Sequence, residues 1–366
     1  SPTVPAGEDE LRAIALAMRD AGAGVIETAD TMDDSSPEYS TDFEMWKRIA
    51  RASGRPLSYG LIQLGEAPDR WRHLLRFGEE AREEGLDIRA QVMSRPLGLL
   101  YGLSLSTHAF TSCPAYMEIA HLPLADRVEL LRDPVRKARI LADVPTDRNL
   151  QWLSIHRNVG ELYEMADPPD YLPPSSDKIS ARASLAGIDP FDLAYDLMLK
   201  DEGRAILFLP LQNYAGNSDE AIRAMLAADN VLIGIGDGGA HMGLVCDASL
   251  PTFLLCRWAR GSDPIMPVER AVRMLSLDNA RFMGLDDRGV VAAGYKADLN
   301  LIDLERLHLH RPYPVHDLPA GGLRLKQHAD GYVATIVSGK ITYRNGRATG
   351  ALPGRLIRGT RRRPAA

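Results

Sequence analysis

The chain has 366 residues, of which 45% are hydrophobic and 25% charged, and its formal net charge is −6. That length can hold two domains, because domains usually run to about 100 to 200 residues, and the composition is that of a globular protein. A net negative charge argues against nucleic acid or an anionic membrane surface as a partner. The basic stretch from Arg355 to Arg363 is the exception, and we expect it to be a solvated terminus.

The cysteine and hydropathy patterns indicate a cytoplasmic protein. Cys113, Cys246 and Cys256 are too few and too scattered for a disulfide framework or a paired-cysteine metal site. No apolar run approaches the roughly 20 residues that cross a bilayer, and the opening residues lack the pattern of a signal peptide. We therefore expect neither a membrane nor nucleic acid as a partner.

Helical and extended patterns alternate in the first part of the chain. Apolar spacing predicts helices at Glu8 to Ala21, Asp42 to Ala52 and Asp69 to Glu84. Strands are predicted at Gly24 to Asp30, Leu57 to Gln63, Asp87 to Met93 and Val231 to Gly236. Helices that alternate with strands over short links predict parallel αβ units.

The stretch from Arg95 to about Ala205 breaks this alternation. It contains one or two predicted helices over Leu124 to Ala142 and a proline-rich run over Asp167 to Pro174. So long an excursion between two strands is uncommon unless it closes a site. We therefore interpret it as an insertion over the mouth of a barrel, either a lid or a purely structural cover. Further helices are predicted at Phe191 to Lys200 and Asn217 to Ala228, on either side of Ile206 to Pro210.

Short strands follow a predicted helix over Pro267 to Phe282. They are predicted at Gly289 to Ala292, Leu299 to Ile302, Val333 to Val337 and Lys340 to Arg344, with turns at Ser338-Gly339 and Asn345-Gly346. This pattern predicts a β-rich domain over residues 289–366, after a first domain over residues 1–288.

The run from Val231 to His241 carries the strongest chemical pattern. A short aliphatic strand delivers the Asp237 carboxylate and the His241 imidazole into a turn that contains Gly238 and Gly239. Glycine lets the backbone approach a metal or a substrate closely, and a carboxylate at the end of a barrel strand can bind a metal or accept a proton. The alternative is that Asp237 caps the next helix or orders the turn.

Three segments of the chain together resemble the amidohydrolase superfamily and, more narrowly, the N-acyl-D-amino-acid deacylases. They are Gly236 to Thr252, Gly289 to Asp303 and Val315 to Gly322, and the resemblance extends from Val4 to Gly359. It implies an α/β fold, with a (β/α)8 TIM-like barrel beside a small β-sandwich to which residues 289–366 contribute.

The predicted strands account for four of the eight that such a barrel needs. The resembling enzymes also carry an earlier strand with a His-x-His pair that holds the metal, and no such pair precedes the barrel strands here. We therefore expect this chain to be the carboxyl-terminal portion of a longer polypeptide, with the missing amino-terminal part completing the barrel. His308 and His310 have the same spacing, but they fall in the β-rich region, where we expect surface residues.

The resemblance also implies site residues. Asp237 is the expected catalytic base and metal contact, His241 a candidate metal ligand, and zinc the expected divalent ion. The resembling enzymes place a histidine on each of the strands that correspond to Gly24 to Asp30 and Leu57 to Gln63, and neither strand has one here. Three explanations remain open: upstream residues hold the metal together with Asp237 and His241, a carboxylate such as Glu27 replaces a histidine, or the metal site is lost.

Substrate contacts are predicted at the ends of the barrel strands, where side chains face the barrel mouth. Gln63, Gln91 and Arg95 stand there, and arginine is the natural bidentate partner of a carboxylate such as an N-acyl amino acid carries. An ordinary salt bridge is the alternative for Arg95. The backbone of Gly238 and Gly239 is also expected beside the substrate.

The predicted function is hydrolysis of a C–N bond other than a peptide bond. The expected reaction is the deacylation of an N-acyl-D-amino acid, or of a similar small amide, by metal-activated water. A second hypothesis is a non-catalytic, metal-free binding or scaffold relative, which the absent strand histidines favour. A third takes a cyclic amide or a carbamoyl compound as substrate, as hydantoinase and dihydroorotase relatives do, but the predicted strands lack the lysine of their binuclear site.

Overall fold

The computed structural model describes residues 6–29, 40–146, 157–236, 239–359 and 361–364. Its helices are α1 (Glu8–Ala21), α2 (Ser40–Ser53), α3 (Arg70–Glu83), α4 (Pro114–Met117), α5 (Leu124–Leu131), α6 (Pro134–Ala142), α7 (Ile179–Ala186), α8 (Pro190–Met198), α9 (Lys200–Gly203), α10 (Glu220–Ala227), α11 (Leu250–Phe253), α12 (Val268–Arg273) and α13 (Asn279–Phe282). π-Helical segments at Leu254–Ala259 and Met274–Asp278 continue α11 and α12. Among the described helices, none combines the length and the apolar character needed to cross a membrane.

The strands fall into two groups along the chain. The first group is β1 (Ile26–Thr28), β2 (Leu57–Gly60), β3 (Ile88–Val92), β4 (Leu97–Tyr101), β5 (Tyr163–Glu164), β6 (Leu207–Gln212) and β7 (Val231–Ile233). The second group is β8 (Leu299–Ile302), β9 (His308–Leu309), β10 (Tyr313–Leu318), β11 (Gly322–Lys326), β12 (Ala329–Asp330), β13 (Tyr332–Val337), β14 (Lys340–Arg344) and β15 (Arg347–Ala348).

Strands β1, β2, β3 and β7 form a parallel sheet in that order, which confirms the predicted parallel αβ units. Successive residues of a strand face opposite sides of its sheet. Leu57 and Tyr59 belong to the apolar core with α2 and α3, so Ser58 and Gly60 face the other side. The described sheet has four strands, with β1 and β7 at its edges, whereas a closed barrel of this type has eight.

An aromatic cluster fixes α2 and α3 on the sheet. Phe43 stacks on Phe77 with ring centroids 4.1 Å apart, and Trp46 meets Phe43 edge-on at 4.9 Å. Tyr59 lies among these rings, and its buried hydroxyl donates a hydrogen bond to the Leu74 carbonyl at 2.6 Å. Burial of each such side chain contributes roughly 1.5 to 3 kcal/mol, so this cluster determines which face of the sheet the helices cover.

The stretch over about 95–205, together with β6 just after it, forms a sheet that the sequence patterns did not predict, and we call it the inserted sheet. Strand β4 pairs antiparallel with β6, and β6 pairs antiparallel with β5. The helical region that begins at Leu124 is two helices, α5 and α6, and Asp133 caps the second by accepting a hydrogen bond from the backbone N–H of Val135 at 3.0 Å. The stretch packs around an apolar core of its own, which includes Phe110 and Tyr195.

The later strands form the predicted β-rich part. Strands β8, β13 and β14 confirm the predictions for their segments and lie with β15 in one antiparallel sheet, in the order β15-β14-β13-β8. The strand predicted at Gly289–Ala292 is wrong, because the chain there forms bends. Gly289 has a φ of +83° and lies so close to the preceding helix that a Cβ on it would be 2.8 Å from the Leu277 Cα.

Candidate active site

A polar cluster lies on the face of the parallel sheet that α2 and α3 leave uncovered. The Gln91 side-chain amide donates hydrogen bonds to Glu27 Oε1 at 3.0 Å and to Ser58 Oγ at 2.9 Å. Glu27 is exposed to solvent, whereas Ser58 is only 2% exposed. The structure thus brings together two residues that the sequence singled out, Glu27 and Gln91, with Ser58, which it did not.

Strand register and one glycine make room for the Glu27–Ser58–Gln91 cluster. Glu27 and Ser58 are register partners on β1 and β2, and Gln91 stands two residues beyond Arg89, the partner of Ser58 on β3. Residues two apart share a face. Just after β7, a Cβ on Gly234 would lie 2.5 Å from Gln91 Oε1. The missing side chain at this position therefore permits the observed orientation of the amide.

Strand β7 leads into the turn that carries the other predicted residues. Ile235 has a φ of +62°, which is unusual for a β-branched side chain. Gly239 has a φ of +116°, and His241, with a φ of +49°, is exposed to solvent. Asp237 and Gly238 lie outside the described residues, so their proposed roles stay predictions.

Two distant parts of the chain hold the turn segment, which we define as residues 239–247. The backbone N–H of Leu100 in β4 donates to the Leu244 carbonyl at 2.8 Å. From the other side, the backbone N–H of Leu325 in β11 donates to the Met242 carbonyl, also at 2.8 Å. The turn segment is therefore fixed between the inserted sheet and the β-rich part.

Arg95 is buried at the end of this turn segment rather than open to the barrel mouth. It is 2% exposed, and its guanidinium bonds the Cys246 carbonyl at 2.6 Å and Asp247 Oδ1 at 3.2 Å. The guanidinium also lies 3.9 Å from the centre of the Tyr171 ring. Burial raises the pKa of the Cys246 thiol to about 11, against the opposing charge of Arg95. The ordinary salt bridge is thus what the structure contains, and we propose no substrate contact for Arg95.

Gln63 holds loops together in the described structure. Its backbone N–H donates to Asn213 Oδ1 at 2.7 Å, and its side-chain oxygen accepts from the Ala215 N–H at 3.1 Å. Its side-chain nitrogen donates to the Pro68 carbonyl at 3.1 Å. Because both ends of the amide are bonded to backbone and the residue is 8% exposed, the predicted substrate contact does not match this placement.

Sequence reasoning overlooked Ser58 and the Tyr171 ring that covers Arg95. The signal for Ser58 was present, because it stands between the buried Leu57 and Tyr59 and so shares a face with its neighbour in register, Glu27. Tyr171 falls in the proline-rich run, which carries no periodicity from which its burial could be predicted.

The donor set on the sheet does not by itself fit a metal ion. Glu27 is the one carboxylate within β1, β2, β3 and β7, and structural zinc sites use four protein ligands while catalytic ones use three. Within the described ranges, the single group of three or more His, Cys, Asp or Glu side chains close enough to share an ion is His308, His310 and Asp330. That group lies in the β-rich part and not on the parallel sheet.

Two deaminases share part of the sequence. The 5-methylthioadenosine/S-adenosylhomocysteine deaminase 1 of Syntrophus aciditrophicus (strain SB) is 33% identical over 121 residues, which cover 31% of this chain and 27% of the deaminase. The 5-methylthioadenosine/S-adenosylhomocysteine deaminase of Moorella thermoacetica (strain ATCC 39073 / JCM 9320) is 34% identical over 128 residues, which cover 34% of this chain and 29% of the deaminase. The matches thus span less than a third of either relative.

Solved structures of D-aminoacylase share the fold. Two of them have TM-scores of 0.54 and 0.53, are each 18% identical, and are matched over 96% of this chain and 59% of their own. The first is described with a binuclear metal center. The likeness confirms the predicted α/β fold with a β-rich part, while the described parallel sheet has four strands and is not a closed barrel. This chain spans about three fifths of the length of those structures. Because residues 3–343 match the Amidohydrolase family, the chain belongs to that family.

Proposed function

We propose that this chain is part of an enzyme that hydrolyses a C–N bond other than a peptide bond, by deacylating an N-acyl-D-amino acid or a similar small amide. The observation that supports this best is the Glu27–Ser58–Gln91 cluster. It puts a carboxylate and a fixed amide on the face of the sheet opposite α2 and α3, beside the strand that leads to Asp237. A scaffold protein has no need of an exposed carboxylate held in this way.

Each residue has a defined role in this proposal. Asp237 is the base that takes a proton from water and returns it to the leaving amine. Gln91 keeps its nitrogen on Glu27 and Ser58, so its oxygen, which points towards Gly234, is left to accept a hydrogen bond from an amide N–H. In this proposal the exposed Glu27 carboxylate, which accepts the Gln91 hydrogen bond at 3.0 Å, contacts the same substrate.

Zinc remains the proposed cofactor, on the strength of the family resemblance. When bound, a zinc ion would polarise the substrate carbonyl and make water a better nucleophile. Asp237, His241 and Glu27 are the residues of this chain proposed as its ligands. Because the described donors on the sheet do not complete a site, we draw no reaction step through the ion.

The test is hydrolysis by the purified protein of a substrate panel. The panel contains paired N-acyl-D- and N-acyl-L-amino acids, a hydantoin, and 5-methylthioadenosine, since the deaminase relatives act on that kind of substrate. We expect amine release from the D-isomers and at least 100-fold less in Asp237→Asn. Asp229→Asn is the matched control, because Asp229 is 81% exposed and precedes β7, whereas Asp237 follows that strand.

The contrary outcomes separate the hypotheses. Release of ammonia from 5-methylthioadenosine alone would replace deacylation by deamination, and turnover of the hydantoin alone would favour the cyclic amide. A protein that is free of zinc by elemental analysis and inactive on the whole panel would be a non-catalytic relative. An Asp237→Asn variant that keeps full activity would remove Asp237 from the mechanism.

A further inference from the structure

His308 and His310 point to the same side of the strand that contains β9, with the buried Leu309 between them. Strand β12 pairs antiparallel with β9 and sets Asp330 opposite His308. As a result, Asp330 Oδ2 lies 3.0 Å from His310 Nε2 and 3.5 Å from His308 Nε2. Two imidazole nitrogens therefore converge on one carboxylate oxygen.

The contact made by His308 Nδ1 determines the tautomer of the neutral ring. His308 Nδ1 lies 3.2 Å from the Arg306 carbonyl, an atom that only accepts hydrogen bonds, so Nδ1 carries the proton. In the neutral ring, Nε2 then presents a lone pair to a carboxylate oxygen, which also presents lone pairs. This contact is repulsive unless a second proton or a metal cation lies between the atoms.

The Nδ1 atom of His310 also faces an oxygen atom. His310 Nδ1 lies 3.7 Å from Asp167 Oδ1, and that carboxylate is held by the backbone N–H of Arg311 at 3.0 Å. Histidines that bind metals usually turn their other nitrogen towards a carboxylate or a backbone carbonyl, which sets the tautomer and the ring orientation. Here His308 Nδ1 faces a backbone carbonyl and His310 Nδ1 faces a carboxylate.

We propose that His308, His310 and Asp330 form a zinc site in the β-rich part, separate from the barrel. Two imidazole nitrogens and one carboxylate oxygen are a ligand set that zinc accepts, with water in the fourth position. Ligands about 2.0 to 2.1 Å from a tetrahedral zinc ion lie about 3.3 Å from each other, which the observed 3.0 and 3.5 Å separations bracket. The side chains are 48%, 37% and 62% exposed, in chain order, so both the ion and the water have access.

The experiment is zinc titration of the chelator-treated protein by calorimetry, with cobalt as a spectroscopic probe of ligand geometry. We expect the wild type to bind one more equivalent of zinc than His308→Gln/His310→Gln, and the wild type to show a tetrahedral cobalt spectrum that the double variant lacks. Asp237→Asn should keep this equivalent, because the site does not involve the barrel. His316→Gln is the matched control, since His316 is an exposed histidine that contacts the Gly321 carbonyl instead.

Three further variants keep the proposal testable if the double variant does not fold. Asp330→Asn and His310→Gln should each weaken zinc binding by at least 100-fold, while Asp167→Asn should weaken it by about 10- to 100-fold through the orientation of His310. Lower pH should also weaken binding, because the ion competes with protons for the imidazoles. Equal zinc stoichiometry and affinity in the wild type and the folded variants would overturn the proposal and leave a carboxylate that pairs with protonated histidines.

Discussion

Arg95 and Asp247 form an ion pair that is almost completely enclosed, with Nη2 and Oδ1 3.2 Å apart and side chains 2% and 1% exposed. The pair joins the end of the third parallel strand to the end of the turn segment, although the two residues stand 152 positions apart in the chain. A buried pair of charges is costly to break, because the remaining charge stays without its partner in a medium of low polarity.

Removal of one member of this pair should destabilise the protein strongly. We expect Asp247→Ala to lower the free energy of unfolding by about 3 to 5 kcal/mol, and chemical denaturation followed by circular dichroism measures this. The double variant Arg95→Met/Asp247→Leu should lose much less stability, since it removes both charges of this pair. Asp317→Asn is the control, because the Asp317 pair with Arg324 lies at the surface and should matter little. A loss of similar size in the single and double variants would contradict this account.

Gly234→Ala should displace the Gln91 amide from Glu27 and Ser58. A Cβ at this position would lie 2.5 Å from Gln91 Oε1, so we expect a loss of about 1 to 3 kcal/mol from overpacking. In a Gln91→Ala background the same change should cost little, and a double-mutant cycle measures the coupling. Equal costs in both backgrounds would mean that Gly234 does not act through Gln91.

The cysteine thiols should react slowly in the folded protein. Burial raises the pKa of both Cys113 and Cys246 to about 11. At pH 8 the thiolate fraction, and with it the rate of reaction with a thiol reagent, should fall by about 100-fold relative to an ordinary thiol. Colorimetric thiol titration before and after addition of denaturant tests this, and rapid modification of all three cysteines without denaturant would contradict it.

The same shifts give alkaline pH a defined effect on stability. The folded state holds these protons more tightly than the unfolded state, so the contribution is fully present below the pKa of the unfolded thiol. It is lost as the pH rises from there towards about 11. The unfolding midpoint should therefore decrease as the pH rises from 8 to 11. Cys113→Ala should make this decrease with pH less steep.

Gly331→Ala should be far more damaging than Gly346→Ala, although both glycines have a positive φ. A Cβ on Gly331 would lie 2.6 Å from the Leu307 Cα, whereas one on Gly346 would meet nothing within 4 Å. We expect about 1 kcal/mol for Gly346→Ala from the backbone conformation alone, and about 3 kcal/mol or more for Gly331→Ala. Thermal unfolding of the two variants tests this prediction. Similar losses of stability would show that the protein relieves the contact with Leu307 by a small shift.

The sequence patterns predicted the elements whose structure depends on residues that are close together in the chain. The first helix was predicted at Glu8–Ala21 and is found there, because its apolar spacing stops at Gly22, which closes the helix with a φ of +64°. Strand β4 was missed because four of its five residues are buried, so it shows no alternation, and because its partner β6 comes about a hundred residues later. A single sequence contains no local pattern that indicates pairing at such a distance.

In the candidate site, too, the placement of some residues could be predicted from the sequence and the placement of others could not. Glu27 and Gln91 were singled out from their strand positions. The structure puts them in contact across the intervening strand β2, because Gln91 stands two residues beyond Arg89, which shares the register of Ser58 and Glu27. Gln63 and Arg95 were chosen by the same reasoning, yet their partners are Asn213 and Asp247, each about 150 residues away. The chemistry of a strand end can be predicted from sequence, whereas the identity of its neighbour in space depends on the whole fold.

The hydrogen bonds of Leu244 to Leu100 and of Met242 to Leu325 imply that the chain cannot be trimmed into independent modules. Deletion of either the inserted sheet or the β10–β11 hairpin would remove one support of the turn segment and leave a polar backbone group without its partner. Truncated versions of this protein would therefore be expected to lose whatever depends on that loop, even when the excised piece contains none of the reactive groups.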